Sequence, residues 1–222
     1  MAVKRIKMSV LSKSQKELAL SLFDAGVIKF DFEKGWRLKL HETNPDAPLS
    51  PFYIDLRKLQ SHLELKSKAV LILADLIKEV EYDYIAGIPL AAVALASSLA
   101  DKTGIPQITP RMDKKTHGEA KTIDGDYEKG KTVLVVDDLV TSADSKLETI
   151  KVLEDCGLVV KDIVVMFDRE QGGAEQLAEN GYKLHSALKI KPTLNFYADI
   201  DKISLEQLER TLNYLIDPLG KK

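Results

Sequence analysis

The stretch Val133-Leu134-Val135-Val136-Asp137-Asp138-Leu139-Val140-Thr141-Ser142-Ala143-Asp144-Ser145 decides how this chain is read. Four aliphatic residues in a row, Val133 to Val136, predict a strand buried on both faces, as in a parallel sheet. Two carboxylates follow at once, then Leu139, Val140 and a run of small and hydroxyl-bearing residues. Beyond them Leu147, Ile150 and Leu153 recur at helical spacing, and Gly157 stands where a helix-terminating glycine belongs. The unit is therefore strand, loop and helix, with acids at the strand's C-terminal end, where open α/β sheets bind ligands. A loop of small residues opening a helix offers N–H groups and a positive dipole end to a phosphate. The two acids beside it suit ribose hydroxyls or a magnesium ion, because hard cations take oxygen ligands. Taken alone, the same pattern is also that of acids which merely end a strand and cap a helix.

Working outward, Ser14 with Glu17 forms a capping box before Leu18, Leu22 and Phe23, and Gly26 ends that helix. Strand-like pieces follow at Val27–Phe32 and Trp36–Leu40, then a proline-containing loop at 42–49 and a strand at Ser50–Asp55 entered through Pro51. Leu65–Val80 predicts a helix, Tyr84–Ala86 a strand, Ala91–Lys102 a helix and Gln107–Thr109 a strand. Residues 111–130 are polar and aperiodic, long for an ordinary connection. After the central unit come a buried strand at Ile163–Phe167, a helix at Ala174–Asn180 and a strand at Lys183–Leu188. A last helix starts at a Ser204–Gln207 capping box and stops before Pro218. Strands alternating with helices predict an α/β fold, a doubly wound parallel sheet. Residues 14–55 break that alternation and predict a small N-terminal hood on a core of about residues 56–218, all within one domain spanning 1–222.

The composition fits that reading. With 222 residues, 45% hydrophobic and 30% charged, the chain can bury a sizeable core. A formal net charge of -2 gives no electrostatic case for nucleic acid or an anionic membrane. The lone cysteine, Cys156, excludes an intrachain disulfide and fits a reducing compartment. No apolar run reaches membrane-spanning length and the basic N-terminus has no apolar leader segment, so a cytoplasmic protein is expected. One decoy falls away. Gly125-Asp126-Tyr127-Glu128-Lys129-Gly130-Lys131-Thr132 matches the P-loop pattern, but that motif needs a helix after it, and here a strand follows.

The central string resembles the 5-phosphoribosyl-1-pyrophosphate (PRPP) signature of the type I phosphoribosyltransferases: apolar strand, two acids, two apolar residues, Thr, a small residue, Gly, any residue, Thr or Ser. The flanking stretches sharpen the resemblance toward the orotate phosphoribosyltransferases. Ser50-Pro51-Phe52-Tyr53 is similar to that family's orotate-contacting strand, and Arg111 through Gly118 to its catalytic loop. Phe167-Asp168-Arg169-Glu170-Gln171-Gly172-Gly173, with Leu184-His185-Ser186 after it, resembles the eukaryotic-type domain found in UMP synthase.

The resemblance implies transfer of ribose 5-phosphate from PRPP to orotate, giving orotidine 5′-phosphate and pyrophosphate in pyrimidine (UMP) biosynthesis, by a homodimer. It implies that Asp137 and Asp138 hold the ribose hydroxyls and that Leu139, Val140, Thr141, Ser142, Ala143, Asp144 and Ser145 form the PRPP loop. Arg111, Lys115, His117 and the hood lysine, Lys39, would attend the pyrophosphate, with Lys115, His117, Asp137 and Asp138 as the catalytic set. Tyr53, Ile54, Thr141 and Arg169 would bind orotate, the planar guanidinium suiting its carboxylate. Mg²⁺ would ride on the pyrophosphate, with Asp137 and Asp138 as nearby acids. Three positions depart from the family pattern: Met112 replaces a loop lysine, Ala86 stands where bacterial members have lysine, and Ala143 stands where glycine is usual. Two other functions remain open on sequence: transfer to another base, and a PRPP-binding regulator without turnover.

Overall fold

A computed structural model describes residues 10–111 and 122–221. In chain order the elements are α1 (Lys13–Asp24), β1 (Ile28–Phe30), a 3₁₀ turn (Lys39–Glu42), β2 (Phe52–Ile54), a second 3₁₀ turn (Leu56–Ser61), α2 (Leu63–Leu76), β3 (Tyr84–Gly87), α3 (Val93–Thr103), β4 (Gln107–Pro110), β5 (Ile123–Asp124), β6 (Thr132–Val140), α4 (Asp144–Asp155), β7 (Val159–Asp168), α5 (Gly173–Glu179), β8 (Lys183–Lys189), α6 (Ile190–Asp199) and α7 (Leu205–Ile216). Among the described residues no helix is long and apolar enough to cross a membrane. The chain divides into two compact units, Met1–Asp55 with Leu188–Lys222, and Leu56–Ala187. The C-terminal helices thus group with the N-terminal segment, where the sequence reading had assigned them to the core.

In the first unit, α1 starts two residues earlier than the Ser14–Glu17 pattern suggests. Ser12 Oγ accepts from Gln15 N–H, and Ser12 N–H donates to the Gln15 side chain at 2.9 Å, so the reciprocal box two residues upstream wins. Antiparallel β1 and β2 pair Phe30 with Phe52 and Ile28 with Ile54. The strand expected at Trp36–Leu40 shrinks to one bridge between Trp36 and Ser50. The chain then turns at Lys39–Glu42, where buried His41 accepts Leu38 N–H at 2.8 Å through Nδ1. Helix α6 has no counterpart in the sequence reading. Pro192 reads as a breaker, yet it lies in the first turn, where no intrahelical N–H is required. Its Tyr197 is fully buried and donates to the Ala19 carbonyl at 2.7 Å, with Phe23 edge-on at 5.1 Å.

The second unit carries the sheet, in the order β5-β4-β3-β6-β7-β8. Strands β4, β3, β6 and β7 run parallel, and β5 is an antiparallel edge strand absent from the sequence reading. Val133 to Val136 and Ile163 to Phe167 have no solvent exposure, as continuous apolar runs between two helical layers should. From β3 the chain winds outward to β4, then returns to lay β6 on β3's other side. That reversal opens a crevice at the C-terminal ends of β3 and β6. Strand β6 is longer than its apolar run. It stays paired with β7 through Val140 and Asp168, so Asp137 and Asp138 lie inside the strand and not beyond it. Gly125 and Gly130 turn with positive φ ahead of β6, so a strand and not a helix follows the P-loop look-alike.

Candidate active site

Successive residues of a strand face opposite sides of the sheet, and the two acids follow that rule. Asp137 is buried and meets α4: its Oδ2 lies 2.7 Å from Lys146 Nζ, and its Oδ1 accepts Asp138 N–H at 2.8 Å. Both side chains of this ion pair are 6% exposed. Removing one partner of such a pair costs about 3–5 kcal/mol, because the other is left buried and uncompensated. Asp138 instead lines a narrow cavity with Leu56, Leu59, Gln60 and Leu95. Burial there, with the charge of Asp137 beside it, pushes its carboxyl up to about 7. The sequence reading had both acids turned toward one ligand; the fold sets Asp137 against Lys146.

The loop expected to hold a phosphate is short, with Thr141, Ser142 and Ala143 joining β6 to α4. The first intrahelical bond runs from Leu147 N–H to the Ala143 carbonyl at 2.9 Å, so the first-turn amides lie at the open helix end. Ala143 has no exposure and sits in the apolar cluster with Val140, Ile150 and Leu177. Its methyl group therefore fills core, not the mouth of the loop. Its N–H is held by Gln176 Oε1 of α5 at 2.8 Å. Gln176 Nε2 donates to Asp144 Oδ1 at 3.0 Å, and Ser142 Oγ donates to Asp144 Oδ2 at 2.9 Å. Helix α5 thus clasps the loop from one side.

That closeness depends on Gly173. A Cβ there would collide with Val140 Cγ2 and lie 2.8 Å from the Thr141 carbonyl oxygen. Just before it, Asp168 Oδ1 accepts Glu170 N–H at 2.7 Å, closing a turn in which Glu170 takes φ +50. Arg169, 6% exposed, lies inside this turn, and its N–H donates to the Val140 carbonyl at 3.0 Å. The arginine and the 141–143 loop therefore leave adjacent strand ends side by side.

The other expected residues are distributed as follows. Arg111 directly follows β4; its N–H donates to the Thr122 carbonyl at 2.8 Å and its Nε lies 3.3 Å from Asp124 Oδ2 on β5. Lys115, His117 and Met112 lie outside the described residues. Lys39, Tyr53 and Ile54 belong to the first unit. Lys39 is exposed at the start of the 3₁₀ turn, Tyr53 stacks on Trp36 at 6.3 Å, and the Ile54 side chain is buried in that unit's core. Ala86 is fully buried between Ile108 and Val135, where a charged side chain has no place. Among the described residues no group of three or more His, Cys, Asp or Glu is placed to hold a metal ion. With one Asp137 oxygen on Lys146 and the other on Asp138 N–H, the acid pair does not fit a protein-held Mg²⁺. Lys146 and Gln176 were missed on sequence. The available signal was a lysine in a first helical turn, the wrong end for a cation.

Residues 59–183 match the phosphoribosyl transferase domain, and the class this defines is that of the phosphoribosyltransferases. The chain is 32% identical to the orotate phosphoribosyltransferase of Sulfolobus acidocaldarius, covering 78% of this chain and 87% of that one. It is 33% identical to the bifunctional enzyme PyrF/PyrE of Nostoc sp., over 86% of this chain but 38% of the relative. Among solved structures, Leishmania donovani UMP synthase superposes with a TM-score of 0.79 at 30% identity, over 90% of this chain and 42% of that one. The chain thus spans less than half the length of the Nostoc and Leishmania relatives and most of the Sulfolobus one. It belongs to the orotate phosphoribosyltransferase family.

Proposed function

We propose that this chain transfers the 5-phosphoribosyl group of PRPP to orotate, releasing pyrophosphate and forming orotidine 5′-phosphate. The observation that carries the reading is the register of β6 and β7, which pairs Val140 with Asp168 and hydrogen-bonds Arg169 N–H to Val140. A sugar phosphate seated on residues 141–145 then has a cationic, planar donor at the neighbouring strand end. That donor suits the carboxylate of an acidic pyrimidine.

In this reading the α4 N-terminus and the Thr141 and Ser142 hydroxyls bind the 5′-phosphate. Asp138 accepts from the ribose hydroxyls. The bond from C1 to pyrophosphate breaks through an oxocarbenium-like state in which charge gathers on the leaving group. Donors aimed there count most, and the family resemblance assigns that part to Arg111, Lys115 and His117. Magnesium carried on the pyrophosphate, not on the acid pair, would supply charge neutralisation. The same resemblance supports a homodimer, which sedimentation velocity would test, and the single cysteine supports a cytoplasmic setting.

The test is to incubate the protein with PRPP, Mg²⁺ and a panel of orotate, uracil and adenine, following base consumption. Orotate turnover well above that of the other bases is expected. Turnover no greater than that of Asp138→Asn, or an equal rate with uracil, would reject the reading.

A further inference from the structure

Lys146 is the third residue of α4 and is 5% exposed. Two forces oppose it there. Burial removes the ammonium from water, and the helix N-terminus is the positive end of the dipole. Its close partner is Asp137 Oδ2 at 2.7 Å, with Ser145 Oγ at 3.5 Å. Packing alone does not account for the pair, because an apolar side chain of the same volume commonly serves a buried site as well or better. Its place gives another reason. One end of the pair is the first acid of β6, and the other lies in the first turn of the helix that follows the phosphate loop.

We propose that Lys146 is a positioning residue for phosphoribosyl binding, fixing the Asp137 carboxylate and adding a cationic group beneath the anion-binding end of α4. The Asp137 carboxylate is then set at both oxygens by the chain itself, Oδ2 by Lys146 and Oδ1 by Asp138 N–H. Asp138, on the opposite face, is left as the acid that answers to the sugar. The added charge offsets the cost of bringing a phosphate close to Asp144, whose carboxylate lies in the same loop. This inference rests on residues 141–145 being the phosphate loop.

The experiment compares wild type with Lys146→Met, which keeps the volume and loses the charge, and with Lys146→Arg, which restores the charge. Ribose 5-phosphate is titrated calorimetrically, and KM is measured separately for PRPP and orotate. Lys146→Met is expected to bind ribose 5-phosphate about tenfold more weakly, with a matching rise in KM for PRPP, an unchanged KM for orotate and recovery in Lys146→Arg. Wild-type KM for PRPP in Lys146→Met, or equal losses toward both substrates, would overturn it. Should Lys146→Met not fold, Asp137→Asn is compared with the double variant Asp137→Asn/Lys146→Met, using inorganic phosphate as probe. Weaker binding by the double variant supports the lysine's role, and equal binding removes it. A wild-type protein that binds no ribose 5-phosphate would overturn the phosphate-loop reading as well. Wild-type binding with an indifferent Lys146→Met removes the lysine's part alone.

Discussion

Gly172 and Gly173 are adjacent and are glycine for different reasons, so alanine at each separates support of the 141–143 loop, proposed to bind the phosphate, from backbone strain. Gly173 opens α5 in an ordinary helical conformation. Its cost on substitution is space: an added methyl group collides with Val140 Cγ2 and falls 2.8 Å from Thr141 O and 3.3 Å from Ser142 C. Reaching an ordinary contact of 3.4 Å requires Thr141 to retreat by roughly half an ångström. Overpacking of this kind costs about 1–3 kcal/mol. In a chain of this length each kcal/mol lowers Tm by roughly 2–4 °C, so a fall of about 2–12 °C is expected. The displaced atoms are the loop itself, and misplacement by about 1 Å can cost roughly a hundredfold in rate, so half that shift predicts about tenfold in kcat/KM for PRPP. Gly172 has φ +98 and nothing within 4 Å of an added methyl group. Alanine there carries strain of about 1–2 kcal/mol and leaves the loop in place, so kcat/KM should stay within about twofold. Scanning calorimetry and steady-state kinetics on both variants decide the matter. Wild-type kcat/KM in Gly173→Ala, or the same kinetic loss in Gly172→Ala, refutes the view that α5 sets the loop.

Arg169→Lys keeps the charge and loses the fork; kcat/KM for orotate should fall about hundredfold with KM for PRPP nearly unchanged, and equal losses would remove the arginine from base selection. Burial raises the Asp138 carboxyl from 3.8 to about 7 in the folded protein. The folded state therefore holds this proton more tightly, and the associated stability is complete below about pH 4 and lost as pH rises through about 7. Asp138→Asn should flatten the Tm profile over that window and be the more stable protein at pH 8; parallel profiles would contradict it. Tyr197→Phe leaves the buried Ala19 carbonyl without its 2.7 Å donor and should lower stability by about 1–2 kcal/mol in urea unfolding, whereas an unchanged midpoint would show that bond contributes nothing. Gln176→Ala removes the side-chain acceptor of Ala143 N–H and one donor to Asp144 together, and a several-fold change in KM for PRPP without a change in KM for orotate is expected.

Much of the fold was legible because its signals are local. Four consecutive buried aliphatics announced β6, and the β-rich run at 163–167 announced β7. What misled was equally local. Two overlapping Ser-x-x-Gln/Glu boxes competed at α1, Pro192 hid α6, and Trp36–Leu40 had strand composition but only a single bridging partner. Propensity describes what a segment tolerates, and pairing partners far along the chain select among the options.

The sequence by itself determined that a buried parallel strand carries an acid pair and runs into a loop of small residues, and that an arginine follows another such strand. Those features are written in consecutive residues, and alternation of strand and helix dictates the sheet class that contains them. Only the tertiary structure decided that the arginine's strand lies next to the acids' strand, in a register that sets Arg169 against Val140. It also decided that Asp137 is spent on Lys146 while Asp138 is not, and that Ala143 points into the core. Strand order, register and the facing of each side chain come from pairing and burial between residues distant in the chain, and no window of neighbouring residues contains that information.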